Sequence, residues 1–157
     1  HDQSSAASDV YKRQIFAMGS NLSDKRFNKI NDYELATTIL KSKKGVQCII
    51  TNSRHCSFGY DQRVELFGNK GMLVSDNKRN DEINYFSKSS TNSKSPLLHF
   101  FIERYSEAFK LQLFDLAKFC RKNIKPRAVF EDGRKSIILA EGAMNSIKSK
   151  KFEKLIY

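Results

Sequence analysis

No stretch of this 157-residue sequence approaches the roughly 20 consecutive apolar residues that a membrane-spanning helix needs. The polar N-terminus carries no apolar h-region, so a secretory signal is not expected. Cysteine is scarce: Cys48, Cys56 and Cys120 make an odd count with no CxxC pair. That argues against a disulfide framework and for a reducing, cytoplasmic setting. Also missing are GxGxxG after a strand, GxxxxGK[ST], HExxH and GxSxG. These are the motifs for binding dinucleotides or nucleotide phosphates, for holding a catalytic zinc, and for presenting a serine nucleophile. No complete catalytic constellation can be assembled, and no catalytic, cofactor-binding or metal-binding residue is assigned.

What is present is a core-forming composition. Hydrophobic residues make up 39% and charged residues 29%, fitting one folded domain. Acidic residues are outnumbered, 17 against 28 Lys and Arg, for a formal net charge of +11. Such a surplus raises nucleic acid as a partner. The cations, however, sit at a turn (Lys41, Lys43, Lys44), around a helix end (Lys118, Arg121, Lys122, Lys125, Arg127) and near the C-terminus (Lys148, Lys150, Lys151, Lys154). Turns and helix C-termini favour solvated lysine in any case, and no basic run is interleaved with aromatics as a base-stacking platform requires. Neither nucleic acid nor a membrane is therefore expected as a partner.

Residues 1–14, with SAASDVYKRQ at their end, show no helical or strand period. They read as a non-native or disordered leader resembling a translated sequencing adaptor. The domain is expected over residues 15–157, with the native frame once extending upstream. Ile15 to Met18 reads as a strand and Gly19 to Asn31 as a loop. A hairpin follows: Tyr33 to Leu40, a turn at Ser42-Lys43-Lys44-Gly45, and Val46 to Asn52. Tyr60 to Phe67 reads as a third strand, returning through Gly68-Asn69-Lys70-Gly71 into Met72 to Ser75. Glu82 to Phe86 reads as a further strand, and Ser87 to Ser95 as an exposed loop closed by Pro96. Apolar spacing predicts a helix from about Leu98 to Lys122, broken by Asn123 to Pro126. A second helix is predicted from an Asp132 N-cap to about Ser149, and a last strand from Lys154 to Tyr157. Cys48 and Cys120 fall in apolar patterns and read as small core residues.

Strands first and helices afterwards give an α+β fold, with a largely antiparallel open β-sheet and two main helices on one face. The strands are apolar on both sides: Leu35 and Ile39 oppose Ala36 and Leu40, and Ile49 opposes Val46, Cys48 and Ile50. Helices can cover one face. The other is expected to meet a second subunit or another domain, with cover by the chain's own loops as the plainer alternative.

Two weak clusters carry little. His55, Cys56 and His99 match no zinc spacing. His55 and Cys56, if adjacent on a strand, point to opposite faces and cannot pair as base and nucleophile. The segment from Asn52 to Met72 is different. It contains NSR at Asn52-Ser53-Arg54, GYDQRVE at Gly59 to Glu65, and FGxKGM at Phe67 to Met72. Further on stand FIERYSEAF at Phe101 to Phe109 and EDGRKS at Glu131 to Ser136. In this order the motifs resemble the C-terminal domain of the Gfo/Idh/MocA oxidoreductases, and among them the inositol 2-dehydrogenase branch.

The resemblance implies a two-domain enzyme in which an N-terminal Rossmann domain binds NAD or NADP. The C-terminal domain closes a polyol or sugar pocket and makes subunit contacts through its open sheet. A hydride would pass from a ring carbinol carbon to nicotinamide as a base takes the hydroxyl proton. The family's EKP lysine and DxxxH pair do not occur here, so the chain alone is expected to be inactive. Tyr60 matches a tyrosine that reaches the polyol, a role suited to a flat phenol with one hydroxyl; the plainer role is cross-strand packing. Arg54 and Phe58 lie on the same approach and are further substrate-contact candidates, against ordinary roles as a surface arginine and a strand aromatic. Arg104 and Tyr105 read as fixing the helix to the sheet. Phe58, Phe109 and Gln112 depart from the Tyr, Tyr and Glu frequent in the family, which bears on which polyol is taken. The rival functions are a non-catalytic binding or assembly module of the same fold and, from charge alone, a nucleic-acid-binding domain.

Overall fold

A computed structural model describes residues 14–155. Most of the leader expectation, and the end of the last predicted strand, lie outside the described residues. The elements are β1 (Gln14–Ser20), α1 (Arg26–Lys29), β2 (Leu35–Lys41), β3 (Gln47–Ser53), β4 (Val64–Gly68), β5 (Gly71–Ser75), β6 (Asn84–Tyr85), β7 (Ser93–Lys94), α2 (Phe101–Lys122), α3 (Phe130–Ser149) and β8 (Glu153–Lys154). They divide into two units, His1–His55 with Arg127–Tyr157, and Cys56–Pro126.

The first unit is a four-stranded sheet in the order β3-β2-β1-β8, antiparallel throughout. β-Branched residues at Thr37, Thr38, Ile39, Ile49, Ile50 and Thr51 favour the extended backbone. The predicted hairpin forms β2 and β3. At its turn the Val46 amide donates to Ser42 Oγ at 3.0 Å, and the Ser42 amide donates to the Val46 carbonyl at 2.9 Å. β1 begins at Gln14, paired with Lys41, one residue before the expected boundary.

Helix α3 packs on β1 and β8, and Ile15, Ala17 and Leu40 are buried. Gly142 permits the approach: a Cβ there would stand 2.4 Å from Leu155 Cδ2 and 3.2 Å from Ile15 Cγ2. Ser146 is 0% exposed, and its hydroxyl accepts the Ala17 amide at 3.0 Å while donating to the Lys151 carbonyl at 2.7 Å. α3 begins at Phe130, earlier than predicted. Asp132 still satisfies its end, but from the third helical position, its carboxylate accepting the Val129 amide at 3.0 Å.

The opposite face of the sheet stays apolar and open. Phe16, Ile39 and Ile49 are directly paired across three strands, with Met18 and Leu35 on the same side. Met18 is 58% and Ile49 69% exposed.

The second unit holds the β4–β5 hairpin, the β6–β7 pair, an Arg79–Leu97 bridge and α2. Several expectations change here. The strand predicted from Tyr60 begins at Val64, because the amides of Tyr60 and Gln62 bond to the Leu98 carbonyl and the Asn77 side chain instead of a neighbouring strand. The predicted loop after Phe86 contains β7, paired with a β6 only two residues long. The region predicted as loop before Asn31 contains the one-turn α1. α2 starts at Phe101, after an extended Phe100, and the Glu103 carboxylate accepts the His99 amide at 3.0 Å. α2 has no buried residue, and Cys120 on it is exposed, not in a core. Cys48 is half-buried, and burial raises its thiol pKa. His55 and Cys56 follow β3 in a loop and are not on a strand.

Candidate functional site

Tyr60 is placed by its backbone. Gly59 before it has φ +120°, and a Cβ there would stand 2.7 Å from Leu97 Cβ and 3.1 Å from the Leu98 carbonyl oxygen. Only glycine allows this approach without strain. The Tyr60 amide then donates to the Leu98 carbonyl at 2.8 Å, and the half-buried ring stands edge-to-face with Tyr105 at 5.8 Å and 81°.

Tyr105 lies on the first turns of α2, and its hydroxyl donates to Gln62 Oε1 at 2.7 Å. The Gln62 amide donates to Asn77 Oδ1 at 2.7 Å, and Asn77 Nδ2 donates to Asp61 Oδ1 at 2.6 Å. Asp61 also receives Arg63 in a two-pronged contact at 2.8 and 2.9 Å. The Arg63 guanidinium, then Asn77, holds the Asp61 carboxyl below its ordinary range. Burial, with Tyr60 alongside, pushes the Tyr105 phenol above its ordinary value. Phe58, just before this cluster, is 60% exposed. The sequence drew attention to Tyr60 and placed Asp61 and Gln62 inside a motif. Nothing in the sequence marked Asn77, which lies 16 residues from the carboxylate it serves.

Arg54 belongs to the first unit, at the end of β3. Its guanidinium donates to the Asp32 carboxylate and, through Nε, to the Tyr33 carbonyl at 3.3 Å, and lies over the Phe27 ring at 4.9 Å. Its amide donates to the Glu34 carbonyl at 2.9 Å. The neighbouring loop is tied by the same segment. The buried Glu34 carboxylate accepts the Ser23 hydroxyl and the amides of Ser23 and Asp24, at 2.9 and 3.1 Å for the amides. The Ser23 hydroxyl, then the Asp24 amide, lowers the Glu34 pKa. A cavity of about 380 Å³ lies between the sheet and α3, lined mainly by apolar groups such as Leu40, Ile50, Ala143 and Met144, with Arg54 also contributing.

A dinucleotide is bound by a parallel strand, a Gly-rich turn and a crossover helix. Every strand pair among the described residues is antiparallel. The described residues therefore do not fit NAD or NADP.

Fold and cluster together define an α+β domain on an open antiparallel sheet, bearing a phenol pair on an irregular strand approach. Residues 8–74 match the GFO/IDH/MocA C-terminal domain. The myo-inositol 2-dehydrogenase of Thermotoga maritima is 34% identical over 142 residues, 90% of this chain and 42% of that protein. The inositol 2-dehydrogenase of Rhizobium meliloti is 31% identical over 137 residues, 87% of this chain and 41% of that protein. The crystal structure of a myo-inositol dehydrogenase from Corynebacterium glutamicum superposes with a TM-score of 0.86 at 36% identity, over 94% of this chain and 45% of that one. The chain is similar to the Gfo/Idh/MocA C-terminal domain and to inositol 2-dehydrogenases. It spans about two fifths of the length of the curated relatives it matches.

Proposed function

We propose that this domain forms the polyol side of an NAD- or NADP-dependent, cytoplasmic dehydrogenase acting on a cyclic polyol or sugar, most like inositol 2-dehydrogenase. The cofactor and the acid-base groups belong to the rest of such a protein, and this domain alone does not turn over. The observation that carries the reading is the fixed presentation of Tyr60: a glycine approach, a backbone hydrogen bond and an edge-to-face aromatic neighbour hold one phenol in place. A preorganised hydroxyl on a flat ring suits a polyhydroxylated ring. Phe58 adds exposed apolar surface just before it. Arg54, in the first unit, remains a further substrate-contact candidate, its guanidinium also donating to the Asp32 carboxylate and the Tyr33 carbonyl. The open sheet face of Phe16, Met18, Leu35, Ile39 and Ile49 is the surface through which copies of the protein associate.

The test is Tyr60→Phe in the full-length dehydrogenase carrying this domain, with myo-inositol as substrate. Loss of one hydrogen bond, about 0.5–1.5 kcal/mol, raises KM about 2- to 13-fold. An unchanged KM refutes the assignment of Tyr60.

A further inference from the structure

Tyr60 has a neighbour that the resemblance did not mark as a contact. Tyr105 presents a second phenol edge-on to it at 5.8 Å. A phenol has one proton to donate and lone pairs to accept with. The Tyr105 proton is taken by Gln62 Oε1 at 2.7 Å, so the oxygen keeps only acceptor capacity. The main chain at Gln62 is held: its backbone amide donates to Asn77 Oδ1 at 2.7 Å, and Asn77 is anchored on Asp61 at 2.6 Å. These contacts fix the main chain at Gln62, from which the side-chain Oε1 reaches Tyr105.

We propose that Gln62 is a positioning residue which, by accepting the Tyr105 proton, fixes that phenol as a hydrogen-bond acceptor beside Tyr60, so that the pair selects a ligand hydroxyl acting as donor. The inference rests on the assignment of Tyr60 as a polyol contact. It deepens that assignment by stating the polarity of the site. A ring carbon bearing fluorine or a methoxy group, which can accept but not donate, is rejected where a hydroxyl is taken.

The experiment compares Gln62→Leu, Gln62→Glu and Tyr60→Phe in the full-length dehydrogenase at saturating cofactor, with myo-inositol as the probe. Leucine removes the acceptor and frees the Tyr105 hydroxyl to rotate. KM rises about 3- to 10-fold, the loss of one neutral hydrogen bond's worth of positioning, with kcat within about twofold. Glutamate can only accept, so it restores KM to near the parent value and identifies the direction of the bond. In protein labelled at the tyrosine ζ carbon, the Tyr105 resonance, identified by its absence in Tyr105→Phe, moves in Gln62→Leu and returns in Gln62→Glu. If Tyr60→Phe raises KM while Gln62→Leu does not, the inference falls and the assignment of Tyr60 stands. If Gln62→Glu is as impaired as Gln62→Leu, Gln62 acts by shape and the inference falls. If Tyr60→Phe leaves KM unchanged, both fall together.

Discussion

Ser146→Ala isolates one hydroxyl that joins α3 to the edge of the sheet. Among the described residues β8 pairs with β1 at Gln14 and Ile15. The next amide along that edge is that of Ala17, and Ser146 Oγ accepts it in place of a strand partner among the described residues. Both residues are buried, so water cannot replace the hydroxyl in alanine. The Lys151 carbonyl, on an exposed residue, can turn to solvent and adds little. The cost is that of a buried amide left unpaired, about 1–3 kcal/mol. For a chain of this size that lowers Tm by about 2–12 °C. Urea unfolding followed by circular dichroism should show a lower midpoint with an unchanged slope. Ser149→Ala is the control: its hydroxyl donates to Glu153 at 2.6 Å in an exposed setting, and its loss should stay within about 0.5 kcal/mol. If Ser146→Ala costs no more than the control, α3 is not anchored through this bond.

Gly59→Ala should destabilise by about 1–3 kcal/mol, because the new Cβ meets Leu97 at an unfavourable φ; it should also raise KM for myo-inositol by moving Tyr60, and a wild-type melting curve with unchanged KM would count against the close approach. The Arg26 side chain, then the Arg26 amide, lowers the pKa of Asp24 from 3.8 to about 2, and Glu34 is also lowered, by Ser23 and Asp24. Both folded-state values lie below the ordinary ones, so their stabilisation is present at neutral pH and is lost as pH falls through the ordinary carboxylate range toward about 2. Asp24→Asn should flatten the acid limb of Tm against pH, and an unaltered limb would refute the pairing. Ile49→Asp on the open sheet face should shift the full-length protein to a smaller mass in light scattering; an unchanged mass would remove that face as the contact.

The elements legible in the sequence were those whose signal is local. β2 and β3 showed as two β-branched runs around a Ser-Lys-Lys-Gly turn, and α2 and α3 showed by apolar spacing and a break at Asn123. Asp132 was read as the N-cap, but the cap is Val129 and the Asp132 carboxylate acts from inside the first turn. The illegible parts depend on partners distant in sequence. Tyr60 to Phe67 reads as one strand, but Leu98 and Asn77 take the amides of Tyr60 and Gln62. β6 and β7 are two residues long, too short for a period to show. Nothing near Arg54 in sequence says that its guanidinium meets Asp32, 22 residues earlier.

The motif from Gly59 to Arg63 therefore carries more than one kind of information. Gly59 is there for backbone space, Tyr60 to present a phenol, Asp61 to take Arg63 and Asn77, and Gln62 to take the Tyr105 proton. Each neighbour in sequence does a different task in space, and under the proposed function only Tyr60 among these five would meet substrate. The same division explains why single substitutions should separate cleanly. Changes at Gly59 disturb both stability and affinity, changes at Tyr60 affinity alone, and changes at Gln62 the polarity of the site, because backbone strain, ring surface and proton direction are distinct physical quantities held by distinct side chains.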